Sequence, residues 1–518
     1  MHLYSLMIAT TTLKKISPAL ALLMFCSILV KGQQSAISVN IDLSKTYQRI
    51  DNFGASDAWS CQFIGKWPDE KKEKIADLLF SSDTLADGSP RGIALSLWRF
   101  NIGAGSTAQA EKSGIKDEWR RAESFLNADG TYNWQSQAGQ MWFLSAAKKR
   151  GVNQFLGFVN SPPVNFTVNS KAFATAGKSN IAAEKYGAFA DYLSAVEIGI
   201  KKQTGINLDY ISPVNEPQWD WSDGGQEGCP YSNSEIGGLL RAIDTSFYKN
   251  HVPSKIIMAE AGSLAYLLPA SDKPSKGNQI DDFFKQGSVN YIGDLKHLKR
   301  VIAAHSYFTT SPDSTARKLR RSLGDQLTKY QGLSFWQSEY CILGDNGGEI
   351  NGSKRSLGID AALYLARVIH TDLCVANASA WQWWTAVSRY DYKDGLIYVD
   401  NNKTDGNYYD SKMLWAMGNY SRFIRPGAVR VDTQVSGDQR LQSPLLISAF
   451  KKGNQLAVVV INNSTENVPL NIIAGNAKIS KVKVFTTSSA ANLQAGTADN
   501  TTVAIQPRSV TTITATIN

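Results

Sequence analysis

The sequence predicts an α/β protein: a (β/α)8 TIM barrel with a C-terminal antiparallel β-sandwich side domain that also takes an N-terminal strand. Three observations carry this expectation. Between about residues 53 and 422, eight short apolar or β-branched runs alternate with longer segments of helical period, the pattern of parallel strands joined by crossover helices. After residue 429 the texture changes to short β-rich runs separated by polar turns with Gly or Asn. One more strand-like run, 36–43, precedes the barrel and is free to add to the side domain.

Taken in order, the predicted barrel strands are 53–59, 94–103, 154–160, 208–215, 255–261, 301–308, 334–340 and 378–385. Helical period marks the segments between them. Tyr186, Phe189, Ala190, Leu193, Val196 and Ile200 share one face, and Ile236, Leu239, Leu240, Ile243 and Phe247 share another. Ser232 with Glu235 forms a capping box in front of the latter. Further helices are expected over 70–80, 136–149, 314–330, 357–375 and 411–420. An open doubly wound sheet would use the same alternation and is the alternative architecture. The side-domain runs are 445–451, 455–462, 468–473, 481–487, 502–506 and 510–517, with Arg425-Pro426-Gly427 at the junction. The expected division is therefore 33–52 for the N-terminal strand of the side domain, 53–424 for the barrel and 425–518 for the sandwich.

Residues 1–32 read as a signal peptide. Lys14 and Lys15 precede the apolar run 16–30, and Val30-Lys31-Gly32 supplies a cleavage site ahead of Gln33. The mature protein is then expected to be secreted, periplasmic or at the cell surface, with no membrane insertion once the signal is removed. The formal charge of +9 includes three lysines of that segment. Lysine and arginine nowhere form a run interleaved with aromatics, so nucleic acid is not an expected partner. Four cysteines remain (Cys61, Cys229, Cys341 and Cys374), too scattered for a disulfide framework. With no HExxH and no CxxC, neither a metal nor any other cofactor is expected.

A barrel of this class carries its active site at the C-terminal strand ends. The polar residues there are Asp57; Arg99 and Asn101; Asn160; Asn215 and Glu216; Glu260; His305 and Tyr307; Glu339; and Gln382 with Trp383 and Trp384. Carboxylates, amides and tryptophans, without a phosphate loop, point to glycoside chemistry. That chemistry needs one carboxylic acid to protonate the leaving oxygen and one carboxylate to attack the anomeric carbon or activate water. Glu216 and Glu339, on strands that face each other across the mouth, are the best-placed pair, with Glu260 as competitor.

Ser212-Pro213-Val214-Asn215-Glu216-Pro217 and Trp336-Gln337-Ser338-Glu339-Tyr340 form the core of a wider set of motifs. With Phe53-Gly54-Ala55, Trp98-Arg99-Phe100-Asn101-Ile102-Gly103, Asn160-Ser161-Pro162-Pro163 and Pro507-Arg508-Ser509-Val510, the chain resembles glycoside hydrolase family 30 from about residue 36 to 518. Gln218-Trp219-Asp220-Trp221 with Gln226-Glu227-Gly228 resembles its endo-β-1,6-galactanase branch. The resemblance implies Glu216 as acid/base, Glu339 as nucleophile, Asn215 on the sugar 2-hydroxyl, and Arg99 holding the nucleophile ionised. It leaves open whether His305 or Tyr307 bonds the nucleophile.

Trp59, Trp219, Trp221 and Trp383 are the candidates for stacking on pyranose faces, whereas Trp384, alternating with Trp383, is expected in the helical layer. Asp57, Asn160 and Glu260 are candidates for sugar hydroxyls, and Asp57 and Glu260 could equally brace loops. Cys341 is expected to pack or to pair. The implied activity is secreted, retaining endo-hydrolysis of a β-1,6-galactan polysaccharide or oligosaccharide, such as arabinogalactan side chains. The alternatives are a sibling specificity (β-1,6-glucanase, β-glucosidase or glucosylceramidase, xylanase) or a non-catalytic carbohydrate-binding protein.

Overall fold

The computed structural model describes residues 37–269, 272–498 and 501–518. The predicted signal peptide lies outside the described residues. Strand β1 (Ile37–Arg49) is followed by eight parallel strands that close into a barrel: β2 (Asn52–Ser56), β3 (Leu97–Asn101), β4 (Gln154–Phe158), β5 (Tyr210–Ser212), β6 (Lys255–Ala261), β7 (Leu298–His305), β8 (Ser334–Glu339) and β9 (Ala380–Trp383). β2 meets β9 at the closure, with Asn52 opposite Ala380 and Ala55 opposite Trp383. Each of the eight predicted runs contributes one barrel strand.

Local chemistry sets the connecting helices where the periodicity places them. At the start of the helix Asn233–Lys249 the Ser232 hydroxyl accepts from the Glu235 amide at 3.3 Å, and the Glu235 carboxylate accepts from the Ser232 amide at 2.7 Å. Two donors with no partner inside the helix are thereby satisfied. Its apolar face, Ile236, Leu239, Leu240, Ile243 and Phe247, is buried against the barrel. Between β9 and the helix Lys412–Ser421 the chain makes a long excursion held by a small sheet of β10 (Val387–Ser388), β11 (Ile397–Val399) and β12 (Tyr408–Asp410). No sequence pattern announces it, since runs of two or three residues are too short to establish a period.

The remaining strands are β13 (Val429–Ser436), β14 (Leu445–Lys452), β15 (Gln455–Asn462), β16 (Val468–Ile473), β17 (Ile479–Thr487), β18 (Gln494–Gly496), β19 (Thr502–Ile505) and β20 (Ser509–Ile517). With β1 they form one nine-stranded sheet ordered β18-β17-β20-β15-β14-β13-β1-β16-β19. Every pairing is antiparallel except β1 with β16. Apolar residues from both ends of that order, including Leu470 and Val503 on one side and Val458 and Ile513 on the other, share a single core, so the sheet folds over its own interior. The opposite face of β15, through Ala457, Val459 and Ile461, joins the core of the barrel instead. Asn419 of the last barrel helix stitches the two together, donating to Phe485 O at 3.1 Å and Thr512 Oγ1 at 3.0 Å.

One ion pair is sealed inside the helical layer. Arg320 Nε donates to Asp372 at 2.6 Å, and the same carboxylate accepts from Trp381 Nε1 at 2.9 Å and from the Ser306 hydroxyl at 3.1 Å. Removing one partner of such a pair strands a buried charge, at about 3–5 kcal/mol. Arg320→Leu is therefore expected to lower the urea midpoint by that equivalent, and adding Asp372→Leu should recover part of the loss. An Arg320→Leu protein as stable as the parent would show that the pair does not support the fold.

Candidate active site

The C-terminal strand ends open into a cleft of about 510 Å³. Glu216, just beyond β5, and Glu339, the last residue of β8, lie in it, and each offers a carboxylate oxygen within 4.8 Å of one from the other. Glu216 has φ 46°, in the left-handed region that a residue with a Cβ enters only when its surroundings hold it there. Two bonds do so. Its amide donates to Glu260 O at 2.8 Å, and its carbonyl accepts from Trp221 Nε1 at 3.0 Å.

Around the two carboxyls stands a buried charge network. Arg99 donates to Glu339 Oε2 at 2.5 Å and to Asn215 Oδ1 at 3.2 Å, and lies 3.7 Å from Glu260. His305 Nδ1 bonds Glu216 Oε1 at 2.8 Å, while Nε2 bonds Glu260 Oε2 at 3.1 Å. The Tyr307 hydroxyl donates to Glu339 Oε1 at 3.1 Å. Tyr307 is thus the hydrogen-bond partner of Glu339, and His305 that of Glu216, with its Nδ1 a longer 3.6 Å from Glu339.

Burial pushes the Glu260 carboxyl up, but Arg99 and His305 outweigh it and hold the group down to about 2. Burial likewise opposes charge on His305, yet Glu339, Glu216 and Glu260 together raise it to about 10. Glu216 moves the other way from Glu260. Desolvation lifts it above the ordinary carboxylate range, Glu339 adds to the rise, and His305 opposes it. The Glu216 and Glu260 carboxyls thereby acquire different proton affinities.

The sequence candidates fall into three groups. Trp59, Asn215, Glu216, Trp219, Trp221, Tyr307 and Glu339 line the cleft. Arg99, Glu260 and His305 are fully buried behind it and reach substrate only through the residues they hold. Asp57, Asn160 and Trp383 lie outside the residues that line the cleft. Asp57 is fully buried and accepts from the Asn101 amide at 2.7 Å and from Gln140 at 3.2 Å, so it braces β3. Asn160 lies past the end of β4, buried and outside the cleft lining. Trp383 is 1% exposed and donates to Asp394 O at 2.8 Å within the wall, and Trp384 faces the cleft in its place. Gln382, which bonds Asn52 inside the barrel at 3.1 Å, marks the inward phase of β9, and Trp384 shares that phase.

Sequence reasoning missed Arg120, Gln226, Phe308, Tyr392 and Asp394, all of which line the cleft from loops with no period to reveal them. Phe308 is 63% exposed, a large apolar face left open at the mouth. Glu227, beside Gln226, is structural. It accepts from the Ala104 amide at 3.0 Å and the Ser106 hydroxyl at 2.6 Å, clamping the loop after β3 to the loop after β5. Cys341 lines the cleft as a free thiol, and burial raises it well above the ordinary thiol range; Cys61, Cys229 and Cys374 are also unpaired.

A βα barrel with two close carboxyls at the floor of an aromatic cleft is the arrangement of a glycoside hydrolase. The chain belongs to O-glycosyl hydrolase family 30, whose family model matches residues 36–398. It is similar to the endo-β-1,6-galactanase of Hypocrea rufa, 22% identical over 456 residues that cover 83% of this chain and 84% of the relative. It is 24% identical over 322 residues to the glucuronoxylanase XynC of Bacillus subtilis, with 61% of each chain covered. Among solved structures, a conserved exported protein from Bacteroides fragilis superposes with a TM-score of 0.86 at 35% identity, covering 92% of this chain and all of that one.

Two predictions follow from this geometry. Raised above its unfolded value of about 6.5, His305 contributes stability that is fully present below that pH and lost as pH climbs through about 10. Glu260→Gln removes one of its anions, so the alkaline fall in Tm should begin at lower pH than in the parent; coincident profiles would discount the His305–Glu260 contact. The second concerns Gly262, where a Cβ would sit 2.4 Å from Trp219 Nε1. Gly262→Ala must displace that indole, and polysaccharide turnover should drop about tenfold, the cost of roughly one stacking contact. Unchanged turnover would place Trp219 outside the substrate path.

Proposed function

We propose that this chain is an exported, retaining endo-hydrolase of β-1,6-linked galactan, with Glu216 as general acid/base and Glu339 as nucleophile. The observation that carries the mechanism is the Glu216–Glu339 pair, within 4.8 Å and oppositely equipped. A separation near 5 Å suits direct attack by one carboxylate, whereas inversion needs a wider gap for water. Arg99 and Tyr307 put positive charge and a donor on Glu339, the environment of an anionic nucleophile. Burial raises the proton affinity of Glu216, the direction an acid requires.

In the first step a Glu339 oxygen attacks the anomeric carbon. The glycosidic C–O bond breaks, its electron pair stays with the leaving oxygen, and that oxygen takes the Glu216 proton. Once Glu339 is esterified its negative charge no longer raises Glu216, which becomes a base. Glu216 then removes a proton from water as the water oxygen attacks the anomeric carbon and frees Glu339. Asn215, held by Arg99 and facing the cleft, is placed for the sugar 2-hydroxyl.

The galactan specificity rests on the similarity to the Hypocrea rufa enzyme along most of both chains. Endo action is supported by a second depression of about 540 Å³ that shares Trp219 and Trp221 with the cleft, giving a chain room to continue past the reacting bond. Export is supported by the Lys-flanked apolar segment at the N-terminus and by the exported Bacteroides fragilis relative. The test is chemical. Glu216→Ala with azide and an activated aryl glycoside should give the β-glycosyl azide, and Glu339→Ala should give the α-azide. The α product from Glu216→Ala would reverse or end the assignment. On a panel of β-1,6-galactan, β-1,6-glucan, β-1,3-galactan and glucuronoxylan, short oligosaccharides should appear first, from the first substrate.

A further inference from the structure

The cleft has two unlike walls. Trp219, Trp221 and Phe308 form an aromatic one from the loops after β5 and β7. The other, from the loops after β2, β3 and β9, combines Trp59 and Trp384, in edge contact at 5.0 Å, with an acid and a base. The Arg120 guanidinium lies 4.7 Å from the Trp59 ring centre and 5.0 Å from that of Tyr390, and its Nε has no hydrogen-bond partner. Asp394 also lines the cleft, is 6% exposed, and its Oδ1 has no partner. Arg120 is close enough to act on Asp394 through space, but the two do not form an ion pair. Neither residue has a part in the two-carboxylate mechanism.

The geometry points to Asp394 and Arg120 as a clamp on a hydroxyl of the glycosyl unit in the cleft. This rests on the glycan-hydrolase reading above and specifies its substrate class. A buried carboxylate oxygen left without a partner, as Asp394 Oδ1 is, is costly, and a ligand that supplies a donor removes that cost. A sugar hydroxyl is both donor and acceptor, so one hydroxyl, or two vicinal ones, can donate to Asp394 while accepting from Arg120. Burial lifts the Asp394 carboxyl to about 7, with Ser388 and Arg120 opposing the rise, so near neutrality the group is also able to donate. Packing of Arg120 between the Trp59 and Tyr390 rings limits where its N–H groups can point, so the position of the bonded hydroxyl matters.

The test uses the full-length enzyme, 4-nitrophenyl β-1,6-galactobioside, its monodeoxy derivatives, and the corresponding gluco set. Asp394→Asn and Asp394→Ala should both melt close to the parent, and Asp394→Ala should lose about 10- to 100-fold in kcat/KM on the parent glycoside, the range for a hydrogen bond to a charged group. On one monodeoxy derivative the parent enzyme and the variant should agree within a few fold, because the clamped hydroxyl is already gone. An equal loss on every derivative, or no loss on any, overturns the clamp. Should the parent enzyme cleave only the gluco set, the galactan reading falls, and the clamp is judged by the same criterion on that set.

Discussion

Five ionisable side chains share the mouth of the barrel with almost no water: Arg99, His305, Glu216, Glu260 and Glu339 are each at most 7% exposed. Charges taken out of water must be paired or given up, and this constraint organises the site. Arg99 and His305 offer two positive charges against three carboxyls. Arg99 answers Glu339 and Glu260, and His305 answers Glu260 and Glu216. Two carboxylates balance the two cations, so the third is in surplus and keeps its proton most easily. Glu216 is the one whose proton affinity is raised. The acid role proposed for Glu216 accords with this inventory of buried charge as well as with its position beyond β5.

The same inventory explains Glu260, which spacing alone made a competitor for the catalytic pair. Its carboxyl accepts from Ser212 at 2.9 Å, Ser338 at 2.5 Å and His305 at 3.1 Å, so its acceptor sites are occupied by the protein and it is fully buried. A residue held this way cannot also attack an anomeric carbon. It fixes the imidazole between the two reacting groups, and the strand-end position that made it a candidate is what lets it do so.

What was legible in the sequence was whatever repeats or whatever must be satisfied locally. The eight strand runs, the Ser232–Glu235 cap and the helix faces belong to this class, as do Glu216 and Glu339, because a barrel concentrates polar residues at its strand ends. Phase was harder. Trp383 and Trp384 are chemically equivalent neighbours, and only the inward bond from Gln382 to Asn52 tells which of the two faces the cleft. Arg120 and Asp394 were not legible, since the loops that hold them, after β3 and within the excursion carrying β10 to β12, take their shape from tertiary contacts such as Arg120 on Trp59. Residues at 393 and 394 have no neighbours in sequence that announce a cleft.

The division between barrel and loops is also a division of labour. Strands β3 and β5 to β8 bring the reacting carboxyls and their partners to fixed positions, and fixed positions are what charge stabilisation during reaction demands. The loops supply surfaces for a longer chain, and those surfaces depend on small residues placed where an indole must lie. Gly228 is such a residue, for a Cβ there would meet Trp221 at 2.4 Å, as one at Gly262 would meet Trp219. Trp221 in turn bonds the carbonyl of Glu216, so the residue that shapes the wall also anchors the backbone of the acid. The cleft wall and the backbone of Glu216 are therefore joined through one loop, and under the proposed mechanism changes in that loop alter substrate fit and proton transfer together.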